Sequence, residues 1–356
     1  MPNRTSTSSL WIKNPIFDTI FFSFGWLIVL IPLVYYQNEI FRAILVGGTI
    51  EGIRNNPSYL WPSLILLAVL ITNYIHRHLT FALVYGEPEE FNRRKTLYIL
   101  VPILFAAVTV ISIYMGKFAV LLVLSLIWNI YHTVTQKYGI TRIYSRKAKY
   151  GFGWLEKGVI FSWLFFLIFS VGTKNQPIIM KYKAGRQILD FIGGYAHYFE
   201  TLSYVALAGA LVFTLIYIHN EFKHRAQLSV PKNVFLLSTL LLFGVFFYNF
   251  LIGYVVLGFS HALEYIAFVN VFVGSKYKKK DSDSPLAVAS KKQWLYSGLF
   301  SLFIVAFCLL GINLDENIFL MYIVGSSFLH FLYDGLIWKV RRPEVGKPLE
   351  IKYAEA

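Results

Sequence analysis

Cysteine is almost absent: the chain has one, Cys308. A single thiol excludes an intrachain disulfide and a Cys-based metal knuckle. Charge is scarce as well, at 15% of residues against 56% hydrophobic, far less than a domain facing water on all sides carries. That excludes a string of soluble domains, although 356 residues would suffice for two or three. Catalytic signatures are missing too. Without HExxH there is no zinc protease of that type, without GxxxxGK[ST] no P-loop ATP motor, and without G-x-S-x-G no α/β-hydrolase elbow. Tyr333-Asp334-Gly335 is half of an intramembrane aspartyl protease dyad, but no second acidic motif matches it. There is neither a low-complexity tract nor an internal repeat.

What fills the chain instead is apolar runs. A span needs about 20 apolar residues at ~1.5 Å rise each. Candidates lie at 15–36, 60–84, 97–115, 117–136, 158–173, 203–219, 233–250, 252–274, 293–311 and 317–338. The first, Pro15 to Tyr36, is too long for a signal-peptide core and lacks a small-residue cleavage site, so it reads as a span. The seventh and eighth merge into one stretch uncharged except for Glu264, and the turn chemistry of Asn249 and Gly253 puts the break between Tyr248 and Gly253. In the long connection from Lys174 to Leu202, residues Ala184 to Phe199 suit an interfacial amphipathic helix, interrupted by Gly193 and Gly194. The expectation is an all-α, polytopic transmembrane helical bundle of about ten helices. A stub at 1–14 precedes a single membrane domain at 15–338, and a tail follows at 339–356.

The net charge of +14 does not point to nucleic acid, because the basic residues sit in short loops rather than along one polar face. They set topology instead. Alternate loops hold only Arg42, Arg54, Lys117, Lys174, Lys181, Lys183 and Arg186; apart from Arg77, inside a span, every other Lys and Arg falls on the side of the N-terminus. Lys and Arg are retained in the cytoplasm, so both termini are expected there, with membrane lipid as a partner. Loop charge and the lack of cysteine pairs fit a bacterial inner membrane. The aromatic share, 18%, reads chiefly as lipid-facing and interfacial belt.

Ionisable groups within spans cost about 2.5–3.5 kcal/mol each on insertion scales and ordinarily mark function. Here they gather on even-numbered spans. The second carries Asn73, His76, Arg77 and His78, the fourth Trp128, Asn129, His132 and Gln136, the eighth His261 and Glu264, and the tenth His330 and Asp334. All four spans run outside to inside, with these residues in the middle-to-inner part. His132 with Gln136, His261 with Glu264, and His330 with Asp334 each share a helix face. His76 and His78 are about 200° apart, so on a regular helix one of them faces inward. Arg77 is expected to snorkel toward the headgroups.

A single intramembrane histidine is ordinarily an interhelical hydrogen-bond donor. Four at one depth argue for a shared ion. Imidazole plus carboxylate without thiolate suits non-haem iron or zinc. The candidate metal set is His76, His78, His132, His261, Glu264, His330 and Asp334, enough for one ion or two, with Glu264 and Asp334 as the catalytic carboxylates. Asn73, Asn129 and Gln136 would orient imidazoles through their free ring nitrogens. His197, His219 and His224 read as loop or interface residues. Asp18 reads as either a polar neighbour or a charge at the start of the first helix. Tyr265 and Tyr333 lie beside the polar pairs.

The layout, histidines gathered at the cytoplasmic ends of transmembrane helices, resembles the histidine-rich membrane di-iron desaturases and hydroxylases. His76-Arg77-His78 stands where those families carry denser HxxxH and HxxHH boxes, and the other candidates sit singly on separate helices. The resemblance implies iron-dependent oxygenation of a hydrophobic, lipid-soluble small molecule with electrons from a separate donor. Zinc in the same site would give a membrane hydrolase instead. A transporter with a His/Glu/Asp relay would need polar groups along the full depth of a path, and the outer halves of these spans are apolar. Paired histidines could also hold haem, and a scaffold would need none of them.

Overall fold

The chain, described by a computed structural model over residues 10–39, 56–174, 196–277, 284–312 and 316–351, is helical throughout, with no strand among the described residues. The expected interfacial helix at 184–199 lies outside them but for its last residues, which begin a long helix at Ala196. The order is α1 (Pro15–Phe17), a π-helical stretch (Asp18–Phe24), α2 (Leu27–Tyr35), α3 (Leu60–Tyr85), α4 (Pro88–Arg93), α5 (Lys95–Tyr114), α6 (Phe118–Lys147) and α7 (Gly153–Lys174). There follow α8 (Ala196–Lys223), α9 (Val230–Tyr248), α10 (Phe250–Tyr277), α11 (Pro285–Lys291), α12 (Gln293–Ile312), α13 (Glu316–Ile337) and α14 (Pro343–Gly346).

Local chemistry sets the boundaries. At α1, Asn14 accepts from the Phe17 N–H at 2.8 Å and Pro15 supplies a φ suited to a first turn. Asp18 then turns back on the chain and accepts the Ile12 and Lys13 N–H groups at 2.7 and 3.0 Å and the Tyr144 hydroxyl at 2.9 Å. It clamps the start of the first helix. The merged stretch of 233–274 breaks at Asn249, whose backbone is extended and whose Oδ1 accepts from the Ile252 N–H at 3.1 Å. Gly253 is needed there because a Cβ would meet the Phe246 ring at 2.6 Å. At α11, Ser284 Oγ takes the Ala287 N–H at 3.2 Å ahead of Pro285.

Among the described residues, six helices are long and apolar enough to cross a membrane, and eight if each of two bent pairs counts as one span. The pairs are Pro15–Phe24 with Leu27–Tyr35, bent 43°, and Pro285–Lys291 with Leu295–Gly311, bent 116°. Exposed Ile103, Leu104, Leu215 and Leu302 have no reason to face water, and their helices read as membrane-embedded. By length and composition these helices fit an integral membrane protein. Two of the ten expected spans are not among the six or the bent pairs: α6, and α13, which counts only as a shorter apolar helix at Met321–Ile337. Both carry site residues, and His132, Gln136, His330 and Asp334 interrupt their apolar runs.

Two compact units form. The first comprises Met1–Gln37 and Val134–Leu257. In it α7 packs along α8, α9 lies against α7, and Trp26 Nε1 donates to Ser238 Oγ at 2.8 Å. The ends of four helices are tied by buried charges. Arg142 on α6 meets Glu156 on α7 at 2.6 Å, and Lys232 on α9 meets Glu221 on α8 at 2.7 Å and Glu156 at 3.8 Å. Two bases and two acids thus alternate along a chain, Arg142–Glu156–Lys232–Glu221, with Lys232 and Glu156 fully buried. Tyr150, in the turn between α6 and α7, lies under Lys232 Nζ at 5.1 Å. Burial, Glu221 and Glu156 push its phenol above the usual range.

The second unit comprises Asn38–Thr133 and Gly258–Ala356. Here α13 packs on α3 and α5, and α12 on α3. Val324, Phe328 and Phe331 form one apolar cluster with Phe105, Leu121 and Leu122. Tyr74 and Ile304 form another with Phe319 and Tyr322. Arg77 does not snorkel as expected: its Nη1 donates to Ser326 Oγ at 3.0 Å and the Ile323 carbonyl at 3.2 Å, tying α3 to α13. These acceptors on the neighbouring helix engage the guanidinium within the bundle, and Tyr74 beneath it adds a cation–π contact at 5.3 Å.

Candidate metal centre

Four imidazoles and one carboxylate converge inside the second unit. His76 comes from α3, His132 from α6, His261 from α10, and His330 with Asp334 from α13; all five are buried. The ring centroids of His76 and His330 are 4.6 Å apart, those of His76 and His261 4.8 Å, and those of His132 lie 4.8 Å from His330 and 4.9 Å from His261. The ligand atoms of His76, His261 and His330 lie within 4.8 Å of one another, as do those of His132, His330 and Asp334. These two sets share His330, and either could hold a metal ion.

Donor spacing fits an ion. His76 Nε2 and His330 Nε2 are 3.0 Å apart, and Asp334 Oδ2 is 3.6 Å from both His132 Nε2 and His330 Nε2. Bonds of about 2.1 Å place adjacent donors about 3.0 Å apart at right angles and about 3.4 Å apart in a tetrahedron. His132 Nε2 is buried with no hydrogen bond among the described residues. An unpaired buried polar atom costs about 1–3 kcal/mol, and a cation shared with Asp334 offsets that.

Thr80 fixes the protonation pattern. Its Oγ1 lies 2.7 Å from His330 Nδ1, 2.9 Å from Asp334 Oδ1 and 2.6 Å from the Tyr265 hydroxyl. Tyr265 in turn donates to Asp334 Oδ1 at 2.7 Å and receives the Trp338 indole N–H at 3.1 Å. Thr80 has one proton. With it spent on the carboxylate or on Tyr265, His330 Nδ1 must be the donor, so the lone pair of a neutral ring sits on Nε2 and points at the cluster. Asp334 is held by Oδ1, leaving Oδ2 toward His132 and His330. This arrangement orients ligands as metal sites do, through their outer hydrogen bonds.

Not every expected residue joins. His78 faces away: Nδ1 donates to the Tyr74 carbonyl at 2.7 Å and Nε2 bonds the Tyr322 hydroxyl. The regular helix keeps it roughly 200° from His76, and it is in neither converging set. Glu264 is fully buried beside the cluster but belongs to neither converging set, and its Oε1 accepts from Ser260 Oγ at 2.7 Å. Asn73 returns its amide to the Val69 carbonyl at 2.9 Å instead of orienting an imidazole. Asn129 is half-buried on α6, and Gln136, a turn beyond His132, belongs to the first unit. His224 bonds Tyr150 and the Asn220 carbonyl, an ordinary interface role.

Thr80 and Trp338 are the two site residues that sequence reasoning missed. A signal existed, because Thr80 follows His76 by four residues and Trp338 follows Asp334 by four, the spacing that links one helix face. Tyr265 likewise follows His261 by four and hydrogen-bonds within the site rather than merely lining it. No family model, curated protein or solved structure matches the chain.

Proposed function

We propose that the chain is a metal-dependent membrane enzyme, a non-haem iron oxidoreductase acting on a hydrophobic, lipid-soluble substrate. The observation that carries this reading is the convergence of His76, His132 and His330 Nε2 with Asp334 Oδ2 in a buried, thiol-free site. His76, His132, His261, His330 and Asp334 would hold the ion. One ion rather than two fits best, since both donor sets share His330 and its Nδ1 is engaged by Thr80. Bound iron supplies electron-transfer and dioxygen chemistry, with electrons from a separate donor. The protein's own contribution is positional. Thr80 holds His330 in the tautomer that offers Nε2, Tyr265 and Thr80 hold Asp334 by one oxygen, and the helices keep the cluster out of bulk solvent.

Ten crossings, both termini in the cytoplasm and a bacterial inner membrane complete the proposal, supported by the loop charges. The test is elemental analysis of detergent-purified wild type beside His132→Ala. Stoichiometric iron in the wild type, lost in the variant, supports the reading. Zinc instead would redirect it to a hydrolase, through Lewis-acid activation of water. A metal-free wild type overturns it.

A further inference from the structure

One pocket opens at the ends of α3, α10 and α13, in the same unit as the metal centre, with a cavity volume of about 60 Å³. That is room for the head of a molecule and not for the length of a lipid. The wall is apolar, with Phe272, Val273, Ile337 and Trp338 among its residues. The rim is charged but balanced. Glu87, Glu90 and Glu344 stand against Arg93, Lys276 and Arg342. Lys276 bonds Glu87 at 2.6 Å, and Arg93 reaches both Glu90 and Glu344 at 3.4 Å. A rim of equal and largely paired charges offers an incoming ion little net field and costs it hydration.

Trp338 joins this pocket to the centre. Its ring lies against Phe268 and Phe272 at 4.8 and 5.0 Å between centroids, while its N–H is turned away onto Tyr265, which holds Asp334. Trp338 stands one helical turn past Asp334, about 6 Å along the axis. We infer that this pocket takes the polar head of an uncharged, lipid-soluble molecule and is the substrate entry of the metal centre. The second clause rests on the enzyme reading above; the first does not.

Photoaffinity labelling of the full chain in detergent tests it. The probe is a long-chain primary alcohol carrying a diazirine next to its head, compared with the carboxylate of equal length. Label from the alcohol is expected on Phe272–Tyr277 and Ile337–Val345, competed by excess unlabelled alcohol. It should fall about tenfold with the carboxylate, and equally in Leu286→Trp, which adds bulk at a residue lining the pocket; tenfold corresponds to about 1.4 kcal/mol. Phe272→Ala, which enlarges the cavity, should keep the alcohol label and guards against a Leu286→Trp chain that fails to fold. Uncompeted label spread over lipid-facing helices, or carboxylate label equal to alcohol label, overturns the proposal. His132→Ala should label as the wild type does. If the wild type holds no metal and the label still maps to these segments, the enzyme reading fails and the pocket stands.

Discussion

Thr80→Val isolates the group that orients the centre. Valine matches threonine in shape, so the change removes one hydroxyl with little repacking. Three contacts are lost, at 2.6, 2.7 and 2.9 Å. Tyr265 keeps Asp334 and Trp338, and Asp334 Oδ1 keeps Tyr265, so both stay satisfied. His330 Nδ1 is the group left without its partner. Stranding one buried donor costs about 1–3 kcal/mol. Side-chain hydrogen bonds between membrane helices average about 0.6 kcal/mol and reach about 1.7, which favours the lower half of that range. Loss of an orienting partner elsewhere weakens metal binding about 10–100-fold, or about 1.4–2.7 kcal/mol. The two routes agree near 1.5 kcal/mol, hence a drop of roughly tenfold in metal affinity. Competition of the bound metal against a graded chelator series reads this directly, and Thr80→Ser should restore most of it. If Thr80→Val retains metal as the wild type does while His330→Ala loses it, the orienting role of Thr80 is refuted.

His76→Phe should abolish metal binding whereas His78→Phe leaves it intact, because only His76 meets His330; equal metal content in the two variants would contradict this. In the first unit, Lys232→Met leaves buried Glu221 with only the neutral Asn233 amide among these contacts and Glu156 with Arg142 and Ser145, a loss of about 3–5 kcal/mol in thermal unfolding in detergent. Adding Glu221→Gln should recover much of it, and no recovery would show that the chain of charges is not an electrostatic unit. Gly253→Ala forces a methyl to 2.6 Å from Phe246 and should cost about 1–3 kcal/mol, with partial rescue by Phe246→Leu. Reporter domains fused after Lys292 and after Glu350 should both report the cytoplasm, and opposite reports would remove one of the ten proposed crossings.

Legibility in the sequence followed the strength of the underlying physics. Apolar runs mark helices because a bilayer leaves the backbone few other ways to satisfy itself, so the break at Asn249 was readable from its turn chemistry alone. The span count was less readable for α6 and α13, where the groups that build a site also dilute the run. Among candidate ligands, the i,i+4 pair His330 and Asp334 stood out because ionisable groups in a membrane demand explanation. Thr80 did not, because a helical threonine normally satisfies itself. Thr72, Thr109, Thr141 and Thr239 each donate to the carbonyl four residues back, at 2.7 to 2.9 Å. Thr80 has the same backbone option and instead meets Tyr265, His330 and Asp334. Its four-residue spacing from His76 is the sole local mark, and Thr72, four residues before His76, shares it. The difference comes from α10 and α13 delivering a phenol, an imidazole and a carboxylate to one point, where the hydroxyl gains more from three partners than from one. A residue's role at such a point belongs to the convergence of helices, and local sequence carries only the spacing that allows it.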